Sequence, residues 1–557
     1  MKRIIECVPN FSEGRKSDSI NQIVSEITSV EGIRLLDVDP GKDTNRTVVT
    51  FVGSPEAVIE AAFRAIKKAS RLINMAVHTG AHPRMGATDV CPLIPVAGIT
   101  SEECVAYAKR LAERVGNELG IPVYLYGDAA TRPGRKNLPD IREGEYEALP
   151  EKMKNPDFAP DYGPAIFNPS AGATAIGVRD FMLAFNVNLN TQDARLAKEI
   201  ALTVRESGRA KRDRNGTLLK DERGNAIRVP GKLAFCQADG WYISEYGCAQ
   251  VTMNLHRFAS VGLHTAFDAV CEEAARLGLR VTGSELIGLA PKQALIDAGR
   301  HYLRRQGKTA GVPEEAIIHT AIRSLGLNDV TAFKPEEKII EYAMKEEKRR
   351  LIDLTLKGFV DELSSDSPAP GGGSVSALSG ALSAALCSMV ANLTFGKKEN
   401  RRHNKILEEL AIRAQELKNL YLDLIDEDTD AFDAYLDAMR MPKKTDAEKQ
   451  SREEAMELAA KHAIEIPLTT LQRAVSLVQL SETAVKKGND KMLSDAAVSA
   501  LQAEASAEGA WMNVMINLPS VHDGAFVEKV KAEADASLKE VKRARARVIA
   551  FAKKRLG

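Results

Sequence analysis

Apolar positions in the first third of the chain alternate between short runs and spacings of three and four. Residues 4–8 form a β-prone run, followed at helical spacing by Ile20, Ile23, Val24 and Ile27. Residues 33–38 and 46–52 (RTVVTFV) are further runs, and Ser54 with Pro55 then opens a helix with Ile59, Ala62, Phe63 and Ile66 on one face. Another helix from about Ser101 carries Val105, Ala108, Ala112, Val115 and Leu119, stops at Gly120 and leads into a strand over 123–126. Strands alternating with one-sided helices predict an α/β sandwich with its helices on one face of a sheet.

A second α/β block begins at MLAFNVNL (182–189), with a helix over 191–207, a charged stretch punctuated by Asn215-Gly216 and Gly224-Asn225, a strand over 250–255 and a helix over 262–277. The charged stretch 211–232 reads as an exposed hairpin. Two such subdomains predict a cleft between them, a usual place for a small-molecule site. The pattern changes at 334–350, a segment dominated by Lys and Glu, and beyond it helical spacing dominates. The predicted order is therefore an α/β subdomain over 1–180, a second over 181–333, a charged linker over 334–350 and an all-α helix bundle over 351–557.

Composition narrows the classes. With 557 residues, several domains are expected. Lys+Arg and Asp+Glu balance at 76 each, so no electrostatic footprint for nucleic acid or an anionic membrane is present, and neither partner is expected. Seven scattered cysteines without a C-x-x-C pair read as reduced thiols of a cytoplasmic protein. The opening MKRIIECVPNFSEG lacks the apolar run of a signal peptide and reads as a first strand. Residues 367–396 carry no charge and are long enough to span a bilayer, but their Ala, Ser and Gly content and the SPAPGGGS entry fit a tightly packed core helix better.

Neither a Walker A sequence nor a G-x-G-x-x-G is present, so ATP and NAD are not expected. His78 and His82 have the spacing of a helical metal pair, yet Gly80 and Pro83 argue against that helix, and no metal is expected. The loop HTGAHPRMGATDVCPLIP (78–95) gathers two histidines, Arg84 and Asp89, and an imidazole there can serve as base and then acid. A histidine bonded only to the loop backbone explains the same residues. Asp37, Asp39 and Asp43 follow a predicted strand and can orient such a histidine or remain turn acids. The stretch 158–177, with Tyr162 and Phe167 among Gly, Pro and Ala, suits a flat ligand or an ordinary linker. In the rear, Ser374 or Ser367 can cap the uncharged helix. Leu417, Tyr421, Leu424, Phe432 and Tyr435 form a stripe in which Asp428 occupies an apolar position, with Asp426, Glu427 and Asp430 on other, solvated faces. A carboxylate on a buried face has a raised pKa and can serve as an acid near neutral pH; a structural aspartate bonded to a helix end or an arginine explains the same placement.

The runs ECVPNFSEG, LLDVD, TNRTVVTFVG, HPRMGATDVCPLIPV, PVYLYG and GEYEALPEK closely resemble the formimidoyltransferase-cyclodeaminase family, and APGGGSV with LIDEDTDAF resembles its second half. The resemblance implies two consecutive reactions of histidine degradation. The formimino group of N-formimidoyl-L-glutamate passes to N5 of tetrahydrofolate, and 5-formimidoyltetrahydrofolate then cyclises to 5,10-methenyltetrahydrofolate with release of ammonia. The family's transferase histidine falls on His82, with Asp39 as its orienting partner, and the cyclodeaminase acid falls on Asp428. The folate segment falls on Gly163, Pro164, Ala165, Ile166, Phe167, Asn168, Pro169, Ser170, Ala171 and Gly172. Asn168 and Ala171 depart from the animal form. The resemblance further implies tetrahydrofolate as a polyglutamylated co-substrate and a ring-like homo-oligomer, an octamer. A chain with only the transferase active, and a folate-binding scaffold without turnover, are the competing readings.

Overall fold

The computed structural model describes all residues except 1–2, 43–44, 81–82, 222–223, 245, 345–349 and 368. Two compact units form, one of Met1–Leu295 with Leu325–Lys345 and one of Ile296–Ser324 with Glu346–Gly557.

In the first unit, β1 (Ile4–Cys7) and β2 (Asn10–Phe11) are two pieces of one interrupted strand, since each pairs antiparallel with both β4 (Arg46–Gly53) and β5 (Thr88–Ala97). The outer strand β3 (Arg34–Gly41) pairs with β4, while β7 (Thr174–Val178) joins β5 and β6 (Val123–Gly127) in parallel. Helices α1 (Ser17–Thr28), α2 (Pro55–Leu72) and α3 (Ser101–Leu119) share one core with Ile5, Cys7, Val49, Phe51 and Leu93. Ser54 caps α2 ahead of Pro55 as expected, and Thr100 with Glu103 forms a capping box on α3. The opposite face is only partly covered, by the short helices α4 (Leu138–Arg142) and α5 (Glu145–Lys152) over Val90, Tyr124, Tyr126 and Ala175.

The second sheet has the order β11-β12-β8-β13, all antiparallel, from β8 (Leu183–Leu189), β11 (Cys236–Ile243), β12 (Cys248–Leu255) and β13 (Val281–Ile287). Helices α6 (Ala194–Val204) and α7 (Leu263–Arg276) cover it. The charged stretch is a two-stranded ribbon, β9 (Arg209–Ala210) with β10 (Arg228–Val229), whose Asp213 and Asp221 carboxylates bind turn amides around Gly216 and Gly224.

Helices α8 (Lys292–Arg305) and α9 (Glu314–Leu325) fall by sequence within the predicted front half, yet residues 296–324 pack with the helical unit. The loop between them is tied there: Gly311 O accepts from Ser388 Oγ at 3.1 Å and from Asn392 Nδ2 at 2.8 Å. Within the charged segment, α10 (Pro335–Lys338) and α11 (Ile340–Ala343) are short turns, and its residues 345–349 lie outside the described part. Next come α12 (Leu356–Leu363), α13 (Gly372–Thr394), α14 (Asn404–Arg440), α15 (Asp446–Lys487), α16 (Leu493–Asn517) and α17 (Gly524–Leu556).

Helix α13 is long and apolar enough to cross a membrane by length and composition alone. It packs against α14, α15 and α16, and its small residues explain how. A Cβ on Gly380 would meet the Tyr421 ring at 2.1 Å, so the ring lies on bare backbone and its hydroxyl reaches Thr470 O at 2.7 Å.

Candidate active sites

The first site region is the sheet face that α1–α3 leave uncovered. Val49 and Phe51 point into the helix-side core, so their neighbours Val48, Thr50 and Val52 point the other way. Asp39 is directly opposite Val48 and Asp37 opposite Thr50, which puts both carboxylates on that open face. This corrects their expected position in a turn: pairing with β4 carries the strand past its apolar run to Gly41. Asp43 lies outside the described residues. Asp39 is exposed, and its charge, like that of Asp89, acts on Arg46. Partial burial pulls Arg46 below an ordinary guanidinium, Arg142 adds to this, and the two aspartates oppose it.

His82 also lies outside the described residues, so its surroundings enter only through the chain on either side. His78 Nε2 is 3.0 Å from Asn45 O, and Asn45 in turn bonds Gly14 N at 3.1 Å and Thr79 O at 2.9 Å. Downstream, Arg84 pairs with Glu145 at 2.9 Å and Glu147 at 2.6 Å, and touches His78 Nδ1 at 3.4 Å. Met85 N donates to Asp89 Oδ1 at 2.9 Å, and Arg142 closes a forked bond on the same fully buried carboxylate. Segment 78–86 therefore starts and ends on fixed points. His78 occupies the backbone-bonded role that sequence left open.

Glu6 on β1 was not singled out from sequence. It is 8% exposed, and burial pushes its carboxyl up to about 7 against the lowering charge of Arg179. The signal was available: an acid inside an otherwise apolar strand.

Segment 163–172 is fixed at its far end. Asn168 Oδ1 accepts from Ala171 N at 2.9 Å, Ser170 O from Met75 N at 2.9 Å, and Ala171 O from Ala87 N at 2.8 Å. Ala171 is core. Phe167 is half-buried against Tyr146, with ring centroids 5.4 Å apart, whereas Ile166 is 72% exposed. Ala165 and Ile166, with Pro169 and Ser170, are the exposed residues of the segment, Pro164 is half-buried, and Gly163 and Gly172 complete its turns.

The second site is a cavity of about 280 Å³ within the helical unit, lined by Gly371–Gly373 at the start of α13, by Asp428, Phe432 and Tyr435 of α14, by Ala460 and Ala463 of α15, and by Asn513 and Asn517 of α16. The stripe on α14 divides: Leu417, Tyr421 and Leu424 enter the core, while Phe432 and Tyr435 line the cavity beside Asp428. Burial raises the Asp428 carboxyl above the usual carboxylate range, and bonds from the Ser374 hydroxyl, at 3.1 Å, and from its backbone hold the rise down. Asp428 therefore bonds the start of a helix and faces a cavity at once.

Two expectations are corrected here. Gly371, without a side-chain bond, is the N-cap of α13; Ser374 is buried one turn inside, and Ser367 Oγ bonds Ala369 O. Asp426 is not solvated: it accepts from Leu351 N at 2.6 Å and pairs with Arg350 at 3.3 Å. Asn513 and Asn517 were missed. Their i, i+4 spacing on an Ala-rich helix, and Pro467 inside α15, were the available signals.

The comparisons with known proteins cover both units. Residues 4–179 match the formiminotransferase domain, N-terminal subdomain; 184–345 match the formiminotransferase domain; and 355–536 match formiminotransferase-cyclodeaminase. The chain is 43% identical to a formimidoyltransferase-cyclodeaminase of Sus scrofa over 97% of each chain. It is 44% identical to a glutamate formimidoyltransferase of Streptococcus pyogenes over 55% of this chain and 94% of the relative. A methenyltetrahydrofolate cyclohydrolase of Methylorubrum extorquens is 38% identical over 33% of this chain and 89% of its own length. Two α/β domains followed by a helical domain, matched along nearly their whole length, place this chain in the formimidoyltransferase-cyclodeaminase family.

Proposed function

We propose that the chain is a bifunctional folate enzyme: the α/β unit transfers the formimino group of N-formimidoyl-L-glutamate to N5 of tetrahydrofolate, and the helical unit cyclises 5-formimidoyltetrahydrofolate to 5,10-methenyltetrahydrofolate. The near-complete match to bifunctional relatives carries the reading. The separate match of the helical half to a methenyltetrahydrofolate cyclohydrolase, a protein named for the same folate, supports the second activity.

In the transfer, N5 attacks the formimidoyl carbon, the bond from that carbon to the glutamate nitrogen breaks, and the N5 proton ends on the departing nitrogen. His82 takes and returns this proton, as an imidazole near neutral pH can. The anchored residues on either side of it, His78 and Arg84, support a placed imidazole, and Asp39 on the open sheet face is its orienting partner. Residues 163–172 receive the pterin, with exposed Ile166 and the rim of Phe167 as its apolar contacts. In the cyclisation, Asp428 protonates the departing amine.

The enzyme works in the cytoplasm as a homo-oligomer, an octamer, on polyglutamylated folate and without a metal. Purified chain given formimidoylglutamate and tetrahydrofolate is expected to release glutamate, then ammonia, with the methenyl chromophore appearing. Saturating substrates without ammonia release would reject the reading; ammonia without a His82→Ala defect in transfer would reject that residue's role.

A further inference from the structure

Two carboxamides line the cavity that holds Asp428, and each is held by its nitrogen. Asn513 Nδ2 donates to Gly509 O at 2.8 Å, one turn back on α16, and Asn517 Nδ2 donates to Ala463 O at 3.3 Å on α15. The second bond has a cause in the sequence. Pro467 lies inside α15 and has no N–H, so the carbonyl four residues before it, that of Ala463, lacks its helical partner and takes the Asn517 amide instead. Because a carbonyl only accepts, both bonds fix which end of each amide is which. Each Oδ1 is the end left over, and neither accepts a hydrogen bond from the described residues. With the Asp428 carboxyl, whose carbonyl oxygen accepts in either protonation state, they put three acceptor groups on one cavity, and its described lining contains no lysine, arginine or histidine.

Acceptors without a cation beside them suit a ligand group that is rich in N–H and positively charged. We infer that Asn513 and Asn517, with Asp428, recognise the protonated amidine of the folate substrate and hold its terminal nitrogen through the cyclisation. The inference rests on the cyclodeaminase reading of this cavity. N10 forms a bond to the amidinium carbon and the C=N double bond becomes a C–N single bond. Asp428 protonates the amine so formed and receives the N10 proton. The C–N bond then breaks with its electron pair leaving on ammonia, and the methenyl cation remains. The terminal nitrogen carries at least two N–H bonds at every stage, so both amide oxygens stay engaged up to release. A formyl group at the same position would turn an oxygen toward three acceptors, so the array selects the amidine over its oxygen analogue.

Formamidinium chloride is the probe, titrated onto the full chain by ligand-observed NMR, alongside KM for 5-formimidoyltetrahydrofolate. Asn513→Leu removes the acceptor; Asn513→Asp keeps one and adds charge. Neither change orphans Gly509 O, whose helical bond from the residue-513 amide remains. Asn513→Leu is expected to weaken formamidinium binding and raise KM by roughly tenfold to a hundredfold. Asn513→Asp is expected to keep or tighten binding, a split that a merely structural role would not produce. Equal loss in both variants, or full binding in Asn513→Leu, would overturn the inference. Absence of methenyl formation by the unaltered chain would instead count against the functional reading, and the binding titration would still decide the recognition.

Discussion

The carboxylate of Asp428 fills the space that a side chain at Gly373 would need: a Cβ there would lie 2.0 Å from Oδ1. The glycine and the acid are thus one device, in which a bare helix start lets a carboxylate close on the first turn of α13. Gly373→Ala is expected to displace Asp428 and to cost about 1–3 kcal/mol of stability in the helical unit. Methenyl formation should collapse while glutamate release continues; thermal unfolding and the two product assays check this.

Asp428→Asn keeps the volume and removes the proton. Cyclisation should fall by roughly 10²- to 10⁴-fold with transfer unchanged. Burial raises this carboxyl against the lowering Ser374 bonds, so it holds its proton to a higher pH than an ordinary aspartate. Its contribution to stability is complete below the ordinary aspartate value and is lost as pH rises through the raised one. Cyclisation limited by this acid should decline over the same upper window, and a rate that climbed with pH there would sink the assignment.

Glu6 gives a second pH effect, in the other unit. Its carboxyl is raised from 4.5 to about 7, so the folded state is penalised progressively as pH rises from 4.5 to 7. Glu6→Gln should leave stability near pH 4 unchanged and increase it by about 3 kcal/mol at pH 8. Urea unfolding at the two pH values tests this, and equal effects at both would contradict it.

Arg142→Ala leaves the buried Asp89 carboxylate without its forked partner. A loss of about 3–5 kcal/mol is expected in the α/β unit. The double change Arg142→Ala with Asp89→Asn should recover part of it, which a double-mutant cycle would measure.

Much of this was legible in the chain. Strand and helix periodicity located the α/β front, Ser54-Pro55 and Gly120 marked helix ends, and the stripe around Tyr421 pointed Asp428 inward, because side-chain direction follows from backbone period alone. What periodicity could not reach were relationships between distant segments. Asp39 left its turn for a sheet face only because β4 pairs with it, and residues 296–324 joined the helical unit although their sequence runs on from an α/β block.

Sequence by itself determined many of the strands and helices and the family they make together, since local propensity and long motifs need no partner, while β7, β11 and β13 emerged only where they pair with neighbouring strands. Only the tertiary structure decided what Asp428 touches. Its cavity is assembled from α13, α14, α15 and α16, and the bare start of one helix, the proline in another and two amides on a third meet there because packing, not chain order, brings them together.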